Sequence, residues 1–203
     1  MKLYFAPGAC SLSPHIALRE AGLAFDLVKV DLKTKKTETG ADYYAVNPSG
    51  YVPCLQLDDG RLLTEGPAIV HYVADQVPGK KLAPANGKFE RYRLQQWLNF
   101  ISTEIHKSYT PLFNPDASAD SKAQAHKTLA TRMGTVAAQL EKSPYLLGED
   151  FSVADIYLFV TMGWAGYVGV DLSPWPALQH FIARVGAREA VQTALRAEGL
   201  AQE

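Results

Sequence analysis

The first 77 residues alternate between short apolar runs and turn signals. Residues 3–5 (Leu-Tyr-Phe) form a brief apolar run, followed by the turn-rich Ala6-Pro7-Gly8-Ala9. Ser13-Pro14 reads as a helix N-cap with proline at the first helical position, which predicts a helix over residues 15–21 with Gly22 as its stop. Residues 25–30 are strand-like, so the order strand, helix, strand predicts a right-handed β-α-β unit. The polar stretch of residues 31–42 reads as a mobile loop. Residues 54–57 and 61–63 flank Asp58-Asp59-Gly60, the mark of a β-hairpin. A helix over residues 67–77 follows, opened by Glu65-Gly66-Pro67. These elements predict a small mixed sheet with helices on its faces.

Residues 78–87 (PGKKLAPANG) read as a linker, and helical periodicity dominates beyond it. Leu94, Trp97, Leu98, Ile101 and Ile105 make one apolar stripe. Asn99, Thr103 and His106 follow i, i+4, i+7 spacing and share a second stripe, with Pro111 as the expected end of that helix. Another helix is expected over residues 121–142, terminated by Pro144. Phe151-Ser152-Val153-Ala154-Asp155 reads as a capping box, with Phe151 and Ile156 placed for a hydrophobic staple. Residues 156–170 carry no charge but are bracketed by Asp155 and Asp171, short of the ~20 residues a bilayer span needs. Glycines at 163, 166 and 169 suggest close packing, so this run reads as a buried core helix. Helices near residues 177–185 and 190–197 close the chain. The expected organisation is an α/β domain over residues 1–78, a linker over 79–87 and an all-α domain over 88–203.

Composition narrows the function classes. A chain of 203 residues, 47% hydrophobic and 20% charged, can bury a substantial core. Twenty basic against twenty-one acidic residues leave a formal net charge of -1, which argues against a nucleic-acid binder working by phosphate neutralisation. The two cysteines, Cys10 and Cys54, rule out a disulfide framework and a thiolate zinc cluster. The five histidines show no HExxH or other zinc spacing, so no metal is expected. There is no GxSxG and no glycine-rich phosphate loop. The N-terminal residues lack the apolar run of a secretory signal, and a reducing cytoplasm is the simplest expectation.

Several residues are candidates for chemistry. Cys10 lies between the first strand and the first helix, where the helix dipole favours thiolate; a small buried core residue is the alternative reading. Cys10-Ser11-Leu12-Ser13 has serine where a dithiol motif would carry its second cysteine, so no disulfide closes within the motif. A cis bond at Val52-Pro53 would expose the Val52 backbone to a peptide-like ligand; a trans proline at a strand start is the alternative. Glu65-Gly66 opens a helix whose N–H groups favour an anion, and Glu65 reads either as partner of a ligand ammonium or as a helix cap. Lys35 and Lys36 fit a solvated charge run. His106 alone reads as an ordinary helix residue.

Together, the opening Tyr4-Phe-Ala-Pro-Gly-Ala-Cys-Ser-Leu-Ser13, Val52-Pro53, Leu63-Thr-Glu-Gly-Pro-Ala-Ile69, the linker, Glu104-Ile-His-Lys107 with Thr110-Pro-Leu-Phe113, and the 151–155 box resemble the bacterial beta-class glutathione S-transferases along essentially the whole chain. The resemblance implies a thioredoxin-like domain, an electrophile-binding helical domain and a homodimer. It implies Cys10 facing the glutathione sulfur, Val52 pairing with the tripeptide backbone, Pro53 in cis, Glu65 and Gly66 at the γ-glutamyl end and Lys35 at the glycyl carboxylate. Asn99, Thr103, Glu104 and His106 complete the implied glutathione site, with Cys10 and His106 as the catalytic pair. Gly66 stands where many relatives in the wider superfamily have serine, so a hydroxyl contact is absent. The implied reaction is attack of the glutathione thiolate on a hydrophobic electrophile by substitution or addition, including dehalogenation. Thiol-disulfide exchange or a peroxidase reaction through Cys10, and a non-catalytic interaction module, are the alternatives.

Overall fold

The computed structural model describes residues 1–201. They form two compact units: residues 1–82 joined by the segment from Arg188 onward, and residues 83–187. In the first unit, β1 (Lys2–Phe5), α1 (Leu12–Ala21) and β2 (Asp26–Asp31) make the expected β-α-β unit. Next come β3 (Lys36–Thr37), β4 (Cys54–Gln56), β5 (Leu62–Thr64) and α2 (Gly66–Gln76). The sheet order is β3-β2-β1-β4-β5. Strands β1 and β2 are parallel and every other pair is antiparallel. The sheet is mixed, as the hairpin signal predicted.

Alternation along the strands divides two apolar layers. Leu3 pairs with Leu55, and both are fully buried, as are Ile16 of α1 and Ile69 of α2. Tyr4 pairs with Cys54 one step along and joins Tyr43, Val30 and Val52 in a second cluster. That cluster lies beneath the loop leading to Val52-Pro53.

Two readings of this unit change. Ser13 is not the cap of α1: the helix starts at Leu12, and Ser13 is buried in its first turn. Ser11 precedes the helix, and its hydroxyl is spent on the chain before Cys10, accepting from Ala6 N at 3.1 Å and donating to Ala6 O at 3.2 Å. The stretch of residues 31–42 expected to be a mobile loop contains β3, and its last residue, Asp42, caps a short turn at Tyr43–Ala45 with its carboxylate. A two-residue polar strand leaves no periodicity to read.

The second unit is helical. It contains α3 (Phe89–Phe100), a π-helical segment (Ile101–His106), one tight turn (Lys107–Tyr109), α4 (Thr110–Phe113), α5 (Ala119–Leu140), α6 (Val153–Gly163) and α7 (Pro176–Gly186). Pro111 does not end the helical run. It occupies the first turn of α4, where its missing N–H has no partner to lose. The capping box is present: the Ser152 hydroxyl accepts from Ala154 N, and the buried Asp155 carboxylate accepts from Ser152 N and Leu146 N. Every residue of α6 from Val153 to Met162 is buried. The three glycines do not pack closely, since a Cβ at Gly163, Gly166 or Gly169 would meet nothing within 4 Å; they lie at and beyond the helix end.

The chain then returns. Helix α8 (Glu189–Ala197) packs on α1, so the segment from Arg188 belongs with the first unit rather than with the helical domain expected over 88–203. Arg188 grips the Glu20 carboxylate with two bonds of 2.6 and 2.9 Å, and Val191 and Ala194 are fully buried. The sequence placed a helix near residues 190–197 without indicating which surface it covers.

Candidate functional site

The loop between β1 and α1 turns through Gly8 (φ 71°) and delivers Cys10 to the start of α1. The Cys10 Sγ–H points at the Val52 carbonyl, 3.4 Å away. The Val52-Pro53 peptide is cis. The loop before it is held from beneath, because the Tyr51 carbonyl accepts from the Tyr43 hydroxyl and from Asn47 Nδ2, each at 2.8 Å. Lys35 reaches the same loop: its ammonium donates to the Gly50 carbonyl at 2.8 Å and lies 5.6 Å from the centre of the Tyr51 ring. Gly50 suits that place, since it has φ 65° and a Cβ would come within 2.7 Å of the Tyr44 ring, which would have to shift.

Glu65 precedes α2 with φ 67°, an unfavourable conformation for a residue with a side chain. Its exposed carboxylate makes no capping bond, which removes the helix-cap reading. Gly66 follows, and a Cβ there would stand 4.0 Å from Pro53, an ordinary contact. The missing hydroxyl at this position is therefore not imposed by space. Cys10, Val52, Pro53, Glu65 and Gly66 thus gather at one end of the sheet, past the ends of β1, β4 and β5, with Lys35 on the adjoining loop.

The thiol does not behave as the helix dipole alone suggested. Burial pushes the Cys10 thiol up to about 11, and the Glu65 carboxylate adds to the rise; the backbone N–H groups of Cys10 and Ser11 oppose them without winning. Cys10 is consequently a neutral S–H donor near pH 7, and Cys54 is likewise a free thiol raised by burial. Alkylation of Cys10 by iodoacetamide, followed by mass spectrometry, is expected to accelerate steadily up to pH 10. A rate that levels off below pH 8 would mean that the helix N-terminus dominates.

In the helical unit, Asn99 and Thr103 are exposed, and the Thr103 hydroxyl donates to the Asn99 carbonyl at 3.0 Å. His106 leaves their stripe. The π-helical segment turns less per residue than an α-helix, and over residues 101–106 that lag carries the ring inward. His106 Nδ1 lies 2.6 Å from the Tyr157 hydroxyl, and the ring packs edge-on against Trp164 at 4.8 Å. Trp164 also meets Tyr109 and Phe113, completing an aromatic cluster. Glu104 pairs with Arg132 at 2.7 Å.

Burial, with a smaller contribution from Lys107, lowers the His106 pKa from 6.5 to about 4, so the ring is neutral near pH 7. Near pH 7 the ring thus offers a hydrogen bond rather than a charge. The unfolded chain binds a proton here near pH 6.5 and the folded protein only near 4. Stability drawn from the neutral ring is intact above that window and is lost as pH falls through it. Chemical denaturation across the window is expected to show a shallower loss for His106→Phe than for the wild type. Equal slopes would place a charged histidine in the folded protein.

The sequence reading missed Tyr43, Asn47, Tyr51, Tyr157 and Trp164. The last two lay inside the uncharged run read as core, and only the hydroxyl and indole of that run hinted at polar work. A crevice of about 640 Å³ on the first unit is lined by Arg19, Glu20, Phe25, Arg188, Glu189 and Thr193, at the opposite end of α1 from Cys10. No expected site residue lines it.

Residues 8–76 match the family model for the glutathione S-transferase N-terminal domain, and residues 100–189 match that for the C-terminal domain. Glutathione S-transferase GstA of Escherichia coli O157:H7 is 46% identical, over 98% of this chain and 100% of that one. The chain belongs to the glutathione S-transferase family. Among solved structures, a ternary complex of BphK, a bacterial transferase, is 73% identical with a TM-score of 0.98, covering 98% of this chain and 100% of that one. A bacterial beta-class transferase from Sphingomonas chungbukensis is 52% identical with a TM-score of 0.96, covering 99% and 100%. The thioredoxin-like unit and the helical unit are those of this transferase family, and the beta-class resemblance of the motifs agrees with the second structure. Among the described residues, no cluster of side chains fits a metal, and no helix is long and apolar enough to cross a membrane.

Proposed function

We propose that this transferase joins the sulfur of reduced glutathione to small hydrophobic electrophiles. The observation that carries the reading is the convergence at one end of the sheet of a neutral thiol, a backbone carbonyl beside a cis proline and a carboxylate with no capping bond. A γ-glutamyl tripeptide offers complementary groups: an ammonium for Glu65, an anionic end for the N–H groups of α2 at Gly66, and a backbone for Val52. Lys35 is assigned the glycyl carboxylate, on the strength of its place against residues 50 and 51.

Cys10 serves the glutathione sulfur as an S–H donor. In substitution, the S–C bond forms as the carbon–halogen bond breaks, and the thiol proton leaves to solvent. The electrophile is received against the exposed Phe113 and the half-buried His106 ring, backed by the buried Tyr109 and Trp164, with His106 as a neutral hydrogen-bond donor to the reacting groups. Asn99, Thr103 and Glu104 retain only supporting places, since Glu104 is paired with Arg132. The exposed rings of Phe89 and Tyr92 on α3, 70% and 60% accessible, support assembly as a homodimer. A cytoplasmic location fits two free cysteines. Disulfide exchange through Cys10 is disfavoured by its raised thiol pKa.

Calorimetric titration of the reduced protein with reduced glutathione, paired with a conjugation assay on a chloronitrobenzene, tests the reading. One site per subunit and halide release dependent on glutathione are expected. No binding at millimolar glutathione would overturn both enzyme readings and leave an interaction module.

A further inference from the structure

Tyr157 stands in the middle of α6, a helix buried along ten consecutive residues, and is itself 2% exposed. A tyrosine in such a place directs its hydroxyl to a partner, and here the partner is His106 Nδ1 at 2.6 Å. His106 closes the π-helical segment, so two unusual features meet at one atom pair: a widened helix turn that moves a ring inward, and a buried phenol that receives it. Trp164 holds the ring from a second direction, edge-on at 4.8 Å. A neutral imidazole has one N–H and one lone pair, and the hydrogen bond at one nitrogen decides where the proton resides. In this pair the phenol is the stronger acid and the imidazole nitrogen the stronger base. The O–H therefore donates to Nδ1, and the proton of the ring resides on Nε2.

We propose that Tyr157 is a positioning residue: its hydroxyl locks His106 in one orientation and in the Nε2–H tautomer, leaving Nε2–H as the donor to the reacting electrophile. The proposal rests on the reading of His106 given above. Tyr157 acts on the reaction through the ring it holds. Its loss leaves Nδ1 unpaired in an apolar cluster, where the ring is free to rotate or to carry its proton on the wrong nitrogen.

The test compares the wild type with Tyr157→Phe, His106→Phe and the double variant. Tyr157→Phe is expected to lower kcat about 10-fold, the equivalent of one hydrogen bond to a reacting group. KM for glutathione should stay within about twofold, since the first unit is untouched. Nitrogen-15 NMR of the histidine rings is expected to show His106 as a single Nε2–H tautomer in the wild type and as a mixture in Tyr157→Phe. The double variant should be no slower than His106→Phe alone, because the catalytic effect of the Tyr157 hydroxyl passes through that ring.

An Nδ1–H tautomer in the wild type, unchanged turnover in Tyr157→Phe, or a further 10-fold loss in the double variant would each overturn the proposal while leaving the His106 reading in place. If His106→Phe keeps wild-type turnover, the His106 reading falls and takes the catalytic half of the proposal with it; the ring spectra still decide the geometric half. A Tyr157→Phe protein that loses glutathione affinity to the same extent as turnover would show damage to the fold rather than to the ring, which also counts against it.

Discussion

Glu65→Gln is expected to weaken glutathione binding by about 10- to 100-fold in calorimetry. The exposed carboxylate sits at the mouth of α2 without a capping bond, next to Gly66 and Pro53. A hydrogen bond to a charged partner contributes about 1.5–3 kcal/mol, and 1.4 kcal/mol corresponds to a factor of ten. The amide keeps the shape and loses the charge. The same substitution removes the anion that raises the Cys10 thiol, so Cys10 alkylation should become faster as glutathione binding becomes weaker. The backbone gives a third signature. A side chain at φ 67° costs about 1–3 kcal/mol, a cost glycine escapes, so Glu65→Gly should be about 1 kcal/mol more stable than the wild type despite its lost affinity. Strain retained where relief is one substitution away is what a ligand-binding position predicts. Unchanged glutathione affinity in Glu65→Gln would remove the ammonium assignment.

Glu198→Ala is expected to cost about 3–5 kcal/mol in urea unfolding, or roughly 10 °C in Tm for a chain of this size. Its carboxylate and the His15 side chain are both 0% exposed and lie 2.7 Å apart. Arg19 Nε donates to His15 Nε2 at 2.8 Å. Arginine has no acceptor, so that nitrogen must carry the lone pair, and His15 donates from Nδ1 to Glu198. The second carboxylate oxygen accepts from Gly8 N at 3.0 Å, and the Leu200 side chain lies 3.6 Å from where a Gly8 Cβ would stand. The returning segment thus ties down the loop that carries Cys10. Alanine would strand the buried His15 donor and take the carboxylate acceptor away from the Gly8 N–H. Glu198→Gln keeps one acceptor oxygen for two donors and should fall between alanine and the wild type. A loss under 1 kcal/mol for Glu198→Ala would mean that water takes over the carboxylate's bonds.

Much of this was legible in residue order because it depends on neighbours in the chain. The β-α-β opening, the hairpin about Asp59-Gly60, the box at Ser152 and Asp155 and the helices beyond the linker each follow from turn chemistry or periodicity within a few residues. The errors share a cause. Ser13 carries a capping residue's chemistry, but Ser11 and Leu12 start the helix; Pro111 looked like a stop and entered a new first turn; glycines at every third position looked like a packing face and found open space. In each case residue type stated what was permitted, and surrounding atoms chose among the permitted outcomes.

The candidate site divides the same way. Sequence by itself determined the family, the two-part organisation and the identity of Cys10, Val52, Pro53, Glu65 and His106 as the residues to watch, because motifs preserve order and spacing. Tertiary structure alone decided their chemical state. Burial and the Glu65 charge keep the Cys10 thiol protonated against the helix N-terminus, a π-helical turn takes His106 off its expected stripe, and Tyr157, fifty-one residues away, meets its ring. It also decided that the last helix closes on the first unit and that Glu198 holds the Cys10 loop. Desolvation and hydrogen bonding depend on distances in space, and residue spacing carries no measure of those beyond a few turns of chain.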